Sequence, residues 1–101
     1  MNMHTISEQF YLSDQSWHYC RVVSQGPHKL QVVIKRNSYD SQSYIYGNAF
    51  DPVHLSWNRL VTRPIETAAC RGATYVRANE SIIPFQKDAY SVLNEMLEIL
   101  P

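Results

Sequence analysis

Cysteine, glycine and charged side chains are all scarce in this sequence of 101 residues. It has two Cys, three Gly and 18% charged residues. Cys20 and Cys70 lie far apart and share no metal-ligand spacing with a histidine, so free, buried thiols are predicted. Gly26, Gly47 and Gly72 are each isolated, which excludes a glycine-rich phosphate-binding loop.

Long apolar runs are also lacking. No stretch approaches the ~20 residues that span a bilayer, and no cationic segment followed by an apolar one opens the chain. These features predict a cytoplasmic protein without membrane contact. With 45% hydrophobic residues, among them seven Tyr, three Phe and two Trp, the chain is expected to fold as one domain over 1–101. Residues 1–14 are polar and predict a loosely ordered N-terminal segment.

The sequence shows no recognisable catalytic or metal-binding group of residues. The histidines form no helical pair and no zinc spacing with the cysteines, and no two carboxylates are suitably placed for acid–base work. Residues 69–72 overlap a caspase-type nucleophile signature but have Ala69 where that signature has Gln. The sequence therefore predicts no catalytic residue, no metal and no cofactor, and hence no enzyme. A Cys70-dependent enzyme is kept as a minor alternative. The histidines are His4, His18, His28 and His54.

Alternating apolar residues predict an antiparallel sheet. Residues 17–24 are rich in aromatic and β-branched side chains, a turn follows at 25–28, and residues 29–36 alternate between an apolar and a polar side. Turn-forming side chains at 37–41 lead into a return strand over 42–50, which Asp51-Pro52 ends. Another strand is predicted over 55–62, with Arg63-Pro64 as its stop. Within 65–81 only a short helical turn at 67–70 and a short strand at 73–77 are suggested.

The C-terminal part has the period of an amphipathic helix. Pro84 is suited to the first turn, and apolar residues then recur at helical spacing. Such a helix must cover an apolar surface, for which the side of Leu30, Val32 and Ile34 is the obvious candidate. We therefore predict an α+β fold: an antiparallel sheet of three to five strands, with the C-terminal amphipathic helix packed on one face. The apolar helix positions are Phe85, Ala89, Val92, Leu93, Met96 and Leu100.

The formal net charge is zero, but the charges are unevenly distributed. Eight of the nine Lys and Arg lie within residues 15–79, whereas six of the nine Asp and Glu lie outside them. If Ile45, Gly47 and Ala49 face the helix, Tyr44 and Tyr46 point away from it beside Lys35. Aromatic and cationic side chains on one sheet face are typical of protein interfaces and of single-strand nucleic-acid binders.

The run of residues 36–44, RNSYDSQSY, followed by Trp57-Asn58-Arg59-Leu60 and Pro64, resembles a loose group of small bacterial and mobile-element proteins without known activity. The resemblance covers roughly residues 30–100. It implies a small accessory protein of the kind carried by phages or plasmids, which often bind and block a host complex. No catalytic residue follows from it.

These observations favour a non-enzymatic protein that binds a protein or a nucleoprotein complex, acting as an inhibitor or modulator of a host system. The alternative is a nucleic-acid-binding module that uses the same face for single strands. A homodimer formed through an exposed sheet edge is also left open. Trp57 is the candidate most readily explained as core. The predicted partner-binding residues are Arg36, Tyr39, Tyr44, Tyr46, Trp57 and Arg59.

Overall fold

The computed structural model describes residues 3–13, 16–36, 42–65 and 78–101. Within them the chain forms a five-stranded antiparallel sheet and one helix, which confirms the α+β prediction. The strands lie in the sheet in chain order, so each pairs with its sequence neighbours. The elements are β1 (His4–Ser13), β2 (Ser16–Gln25), β3 (His28–Arg36), β4 (Ser43–Asp51), β5 (Ser56–Ile65) and α1 (Ala78–Ile99).

The two connections that the structure describes follow from local sequence. Gly26 and Pro27 join β2 to β3, and Gly26 has a φ of 56°, which a residue without Cβ adopts at little cost. At the end of β4, an Asp51 carboxylate oxygen accepts hydrogen bonds from the backbone N–H groups of Val53 (2.9 Å) and His54 (3.3 Å). These bonds hold the β4–β5 turn, as expected of an aspartate before proline.

The helix covers the aliphatic side of the sheet. Leu30, Val32 and Ile34 of β3 are fully buried there, and the described part of α1 contributes its own apolar stripe. The predicted packing is therefore confirmed. The remaining core side chains are Tyr19, Val23, Ile45, Val61, Phe85, Ala89, Val92, Leu93 and Met96.

Gly47 brings β4 close to the helix. It pairs with Val32 on one side and Val61 on the other, at the centre of the covered face. A Cβ atom at position 47 would lie 2.8 Å from the Met96 sulfur and 2.9 Å from a Val92 methyl carbon. The absence of a side chain at this position therefore lets the helix seat directly on the strand.

Three boundaries differ from the predictions. The polar N-terminal segment forms the edge strand β1 instead of remaining loosely ordered. Strand β5 continues through Pro64 to Ile65, and an edge strand can accommodate proline because its outer side needs no ladder donor. The helix begins at Ala78, six residues before Pro84.

Several predictions lie outside the described residues: the side-chain turn at 37–41, the helical turn at 67–70 and the strand at 73–77. In the part of the chain that is described, no helix has the length and apolarity needed to span a bilayer.

Candidate functional site

The side of the sheet opposite α1 carries the candidate site, which we call the open face. Strand alternation places Tyr44, Tyr46 and Phe50 of β4 on it, because Ile45, Gly47 and Ala49, which alternate with this set, face the helix. Over residues 3–13, 16–36, 42–65 and 78–101, no element packs across this side. The open face also carries Lys29, Lys35, Trp57 and Arg59.

Two aromatic pairs lie along the open face. The Tyr44 and Tyr46 rings are stacked with centroids 6.1 Å apart and an interplanar angle of 24°. Phe50 meets Trp57 edge to face, with centroids 5.3 Å apart. The second pair depends on a β-bulge in the β4–β5 ladder, after which Phe50 lies directly opposite Trp57.

Cations lie over both aromatic pairs. The Arg59 guanidinium carbon is 4.2 Å from the Tyr46 ring centroid, and the Lys35 ammonium is 5.5 Å from the same centroid. The Lys29 ammonium is 5.3 Å from the Phe50 centroid and 5.9 Å from that of Trp57. All these distances fall within cation–π range. The rings therefore hold the cations close to the sheet surface.

The fold places cationic side chains and carboxylates on different sides of the sheet. Among the described residues, the open face has three Lys or Arg side chains and no carboxylate. Glu8 faces the helix, where it pairs with Arg21. Glu95 belongs to α1, where it forms an ion pair with Arg63 on the covered side of β5.

His18 also lies on the open face, beside Lys35. Burial and the Lys35 charge lower the pKa of His18. This histidine therefore adds no positive charge at neutral pH, and the charge of the described face comes from its Lys and Arg residues.

Four of the six predicted site residues are brought together on the open face: Tyr44, Tyr46, Trp57 and Arg59. Trp57 is half-buried there, outside the helix-covered core. Arg36 follows Ile34 in alternation and pairs with the buried Ser43, so it lies on the helix side at the end of β3. Tyr39 lies outside the described residues.

Phe50 and Lys29 belong to the site but were missed as candidates. The alternation that starts at Tyr44 and Tyr46 continues to Phe50, so the sequence did hold a signal for this residue. Lys29 reaches Phe50 only across the β3–β4 pairing, in which its neighbour Leu30 lies opposite Ala49. That contact depends on register, which the alternation within one strand does not specify.

A second polar cluster lies on the helix side, between β1, β2 and α1. The buried Arg21 donates hydrogen bonds to Glu8 (2.8 Å), to the Thr5 hydroxyl (2.6 Å) and to the Tyr90 hydroxyl (2.5 Å). Tyr19 also donates to Glu8, at 2.6 Å. The cluster supplies partners for both terminal nitrogens of a buried guanidinium, whose Nε has none among the described residues, and it joins three elements. Nothing in the sequence pattern indicated it.

The protonation of this cluster follows from its contacts. Burial opposes ionisation of Glu8, but the hydrogen bonds from Tyr19 and Gln86 and the charge of Arg21 outweigh it and lower the pKa of Glu8. Burial and the bond to Glu8 raise the pKa of Tyr19 well above its ordinary value. Glu8 is therefore an anion and Tyr19 a neutral phenol at pH 7, as in a structural ion pair.

The described residues supply little reactive chemistry. They contain no group of three or more His, Cys, Asp or Glu that could hold a metal ion. Cys20 has no disulfide partner, and burial raises the pKa of its thiol despite a hydrogen bond with Gln31. A thiol with a raised pKa is a weak nucleophile. Cys70, the alternative candidate, lies outside the described residues.

No protein-family model matches the chain, and no curated protein or solved structure is significantly similar to it. The resemblance to small mobile-element proteins therefore stays an expectation. Function has to be inferred from the site itself, since a fold of this class hosts many unrelated functions.

Proposed function

We propose that the protein acts by binding, not by catalysis, and that the open face is its contact surface. The observation that supports this is the convergence of two aromatic pairs and three cations on the side of the sheet that α1 leaves uncovered. Aromatic and arginine side chains supply most of the binding energy at interfaces. Held on paired strands, they need little rearrangement before binding.

The charge of the open face restricts the partner. Lys29, Lys35 and Arg59 have no carboxylate beside them on the described face, so a partner surface with negative charge is favoured. Complementary charge raises the association rate and excludes cationic surfaces. The expected partner, a protein or nucleoprotein complex in the cytoplasm, meets this requirement when it presents an anionic surface. Action as an inhibitor or modulator carried by a mobile element is part of the proposal and rests on analogy.

Capture from the native host tests the proposal. Tagged wild-type protein is compared with the Lys35→Glu/Arg59→Glu variant and with the Arg36→Glu/Lys87→Glu variant. Both doubles change the net charge equally, but Arg36 and Lys87 are exposed positions away from the open face. We expect the co-purifying partner to be lost from the first double and retained by the second.

Equal recovery of the partner with both double variants would contradict the proposal, and so would equal loss of the partner from both. Circular dichroism and a thermal melt of each variant separate lost binding from lost folding. Light scattering of the wild-type protein tests whether the exposed edges of β1 and β5 support a homodimer. Loss of any dimer in the open-face double alone would instead indicate that this face binds a second copy.

A further inference from the structure

The open face has the charge pattern of a surface that binds a polyanion. The whole chain is neutral, with a sequence pI of about 6.9, which by itself disfavours a nucleic-acid binder. The fold removes this objection for the described residues, because the carboxylates of Glu8 and Glu95 lie on the helix side, each paired with an arginine. The cations of the open face are thus not neutralised by acids beside them.

The aromatic pairs are spaced along one strand. Tyr46 and Phe50 are four residues apart on β4, which corresponds to roughly 13 Å along an extended strand. Each has a lysine ammonium nearby, Lys35 at Tyr46 and Lys29 at Phe50. The same arrangement of ring and cation therefore occurs twice along the strand.

We infer that the occupant of the open face is a single-stranded nucleic acid, with bases stacked on the two aromatic pairs and phosphates held by Lys29, Lys35 and Arg59. This inference rests on the proposed function, in which the open face is the binding surface. Bases stack on aromatic rings without regard to sequence, and Lys and Arg follow the backbone. We therefore expect little sequence preference.

The geometry favours a single strand over the other polyanionic partners. Bases in a duplex are already stacked and present only their edges, which are read by an element inserted into a groove. The open face is the broad side of a sheet, and its rings belong to residues within β4 and β5. An acidic protein is disfavoured because two of the three cations are lysines, which are depleted at protein interfaces.

Fluorescence anisotropy with labelled oligo(dT) and oligo(U) of about 15 nucleotides tests the inference. Three phosphate contacts predict that log K falls with log[salt] with a slope of about −2, since each contact on a single strand contributes roughly −0.7. Affinity should therefore fall roughly 20-fold between about 50 and 200 mM NaCl. Quenching of tryptophan fluorescence that disappears in Trp57→Phe would place the bases at the Phe50–Trp57 pair.

Variants separate the contribution of the phosphate contacts from that of base stacking. Lys29→Gln/Lys35→Gln should flatten the slope by about 1.4, the share of two phosphate contacts, whereas the matched control Arg36→Gln/Lys87→Gln should leave it unchanged. Tyr46→Leu should weaken binding by roughly 5- to 150-fold at fixed salt, the loss expected for one stacked base. It should not change the slope. Thermal melts confirm that each variant is folded.

Three results would overturn the inference: no oligonucleotide binding at about 20 mM salt, tighter binding to duplex DNA, or equal binding of heparin together with no effect of Tyr46→Leu. The first of these, combined with host capture that still depends on Lys35 and Arg59, would leave the proposed function standing and point to an acidic protein. Failure of both experiments would reject the open face as a binding surface.

Discussion

Replacement of Gly47 by alanine tests the packing that leaves the open face uncovered. A Cβ atom at position 47 would lie 2.8 Å from the Met96 sulfur, 3.1 Å from the Met96 methyl carbon and 2.9 Å from a Val92 methyl carbon. Met96 is flexible and can move aside. Val92 is β-branched and restricted to one main rotamer in a helix, so it cannot.

The size of the effect follows from two opposing contributions. Overpacking of a core position costs about 1–3 kcal/mol. Alanine is favoured over glycine in a strand by about 0.5–1 kcal/mol, because glycine loses more backbone freedom on folding. We therefore expect Gly47→Ala to lower the free energy of unfolding by about 1–2 kcal/mol. For a domain of this size, the melting temperature should fall by roughly 5–15 °C.

Urea denaturation of a double-mutant cycle measures the contact between position 47 and Val92 directly. Val92→Ala alone should destabilise, since it removes buried methyl groups. It also makes room for the new Cβ, so the double variant should lose less stability than the sum of the single losses, by at least about 0.5 kcal/mol. Gly26→Ala is the control. It should destabilise through its φ of 56°, and Val92→Ala should not rescue it.

A stabilising Gly47→Ala, or strictly additive losses with Val92→Ala, would refute the reasoning. Either result would mean that α1 does not lie on Gly47. The assignment of Tyr44 and Tyr46 to the uncovered side would then lose its basis, and with it the candidate site.

Three further predictions concern individual side chains. The lowered pKa of Glu8 means that its ionised carboxylate stabilises the fold. This contribution is fully present at a pH above the ordinary pKa of glutamate, and it is lost as the pH falls through the lowered pKa. Urea titrations at about pH 5 and pH 3 should therefore show a smaller loss of stability for Glu8→Gln than for the wild type. Burial raises the pKa of Asp88, and one of its carboxyl oxygens is buried without a hydrogen-bond partner among the described residues. Ionisation of Asp88 thus destabilises the fold as the pH rises. Asp88→Ala should therefore be more stable than the wild type at pH 7 and should lose this advantage near pH 3. A stability advantage that persists at pH 3 would contradict this prediction. Leu55 is 77% exposed and has a φ of 53°, so Leu55→Asn should raise the free energy of unfolding by up to about 1 kcal/mol, whereas the neighbouring Val53→Asn should leave it unchanged.

Alternation within single strands made much of the sheet predictable. Leu30, Val32 and Ile34 face one way because successive side chains of an extended chain point to opposite sides. The same rule separates Tyr44 and Tyr46 from Ile45 and Gly47. No partner strand has to be known for such an assignment, so one sequence suffices.

Strand β1 shows where that rule fails. A bulge between Thr5 and Ser7 breaks its alternation, and its helix-facing Thr5 and Glu8 are polar because they bond Arg21. When the helix-facing side chains of a strand bond a buried guanidinium, they are polar, and the strand lacks the alternation of apolar and polar residues by which strands are recognised. Only the position of Arg21 beneath α1 explains these residues.

The sequence by itself determined which residues share a side within β3 and β4, where β2, β3 and β4 run, and that a C-terminal amphipathic helix must cover one face. Tertiary structure alone decided that Arg59 joins Tyr46, and that the described carboxylates keep away from the open face. The physical reason is that alternation is a property of one extended chain. Register, bulges and the distribution of charge between two faces arise only when strands pair with one another and a helix packs on them.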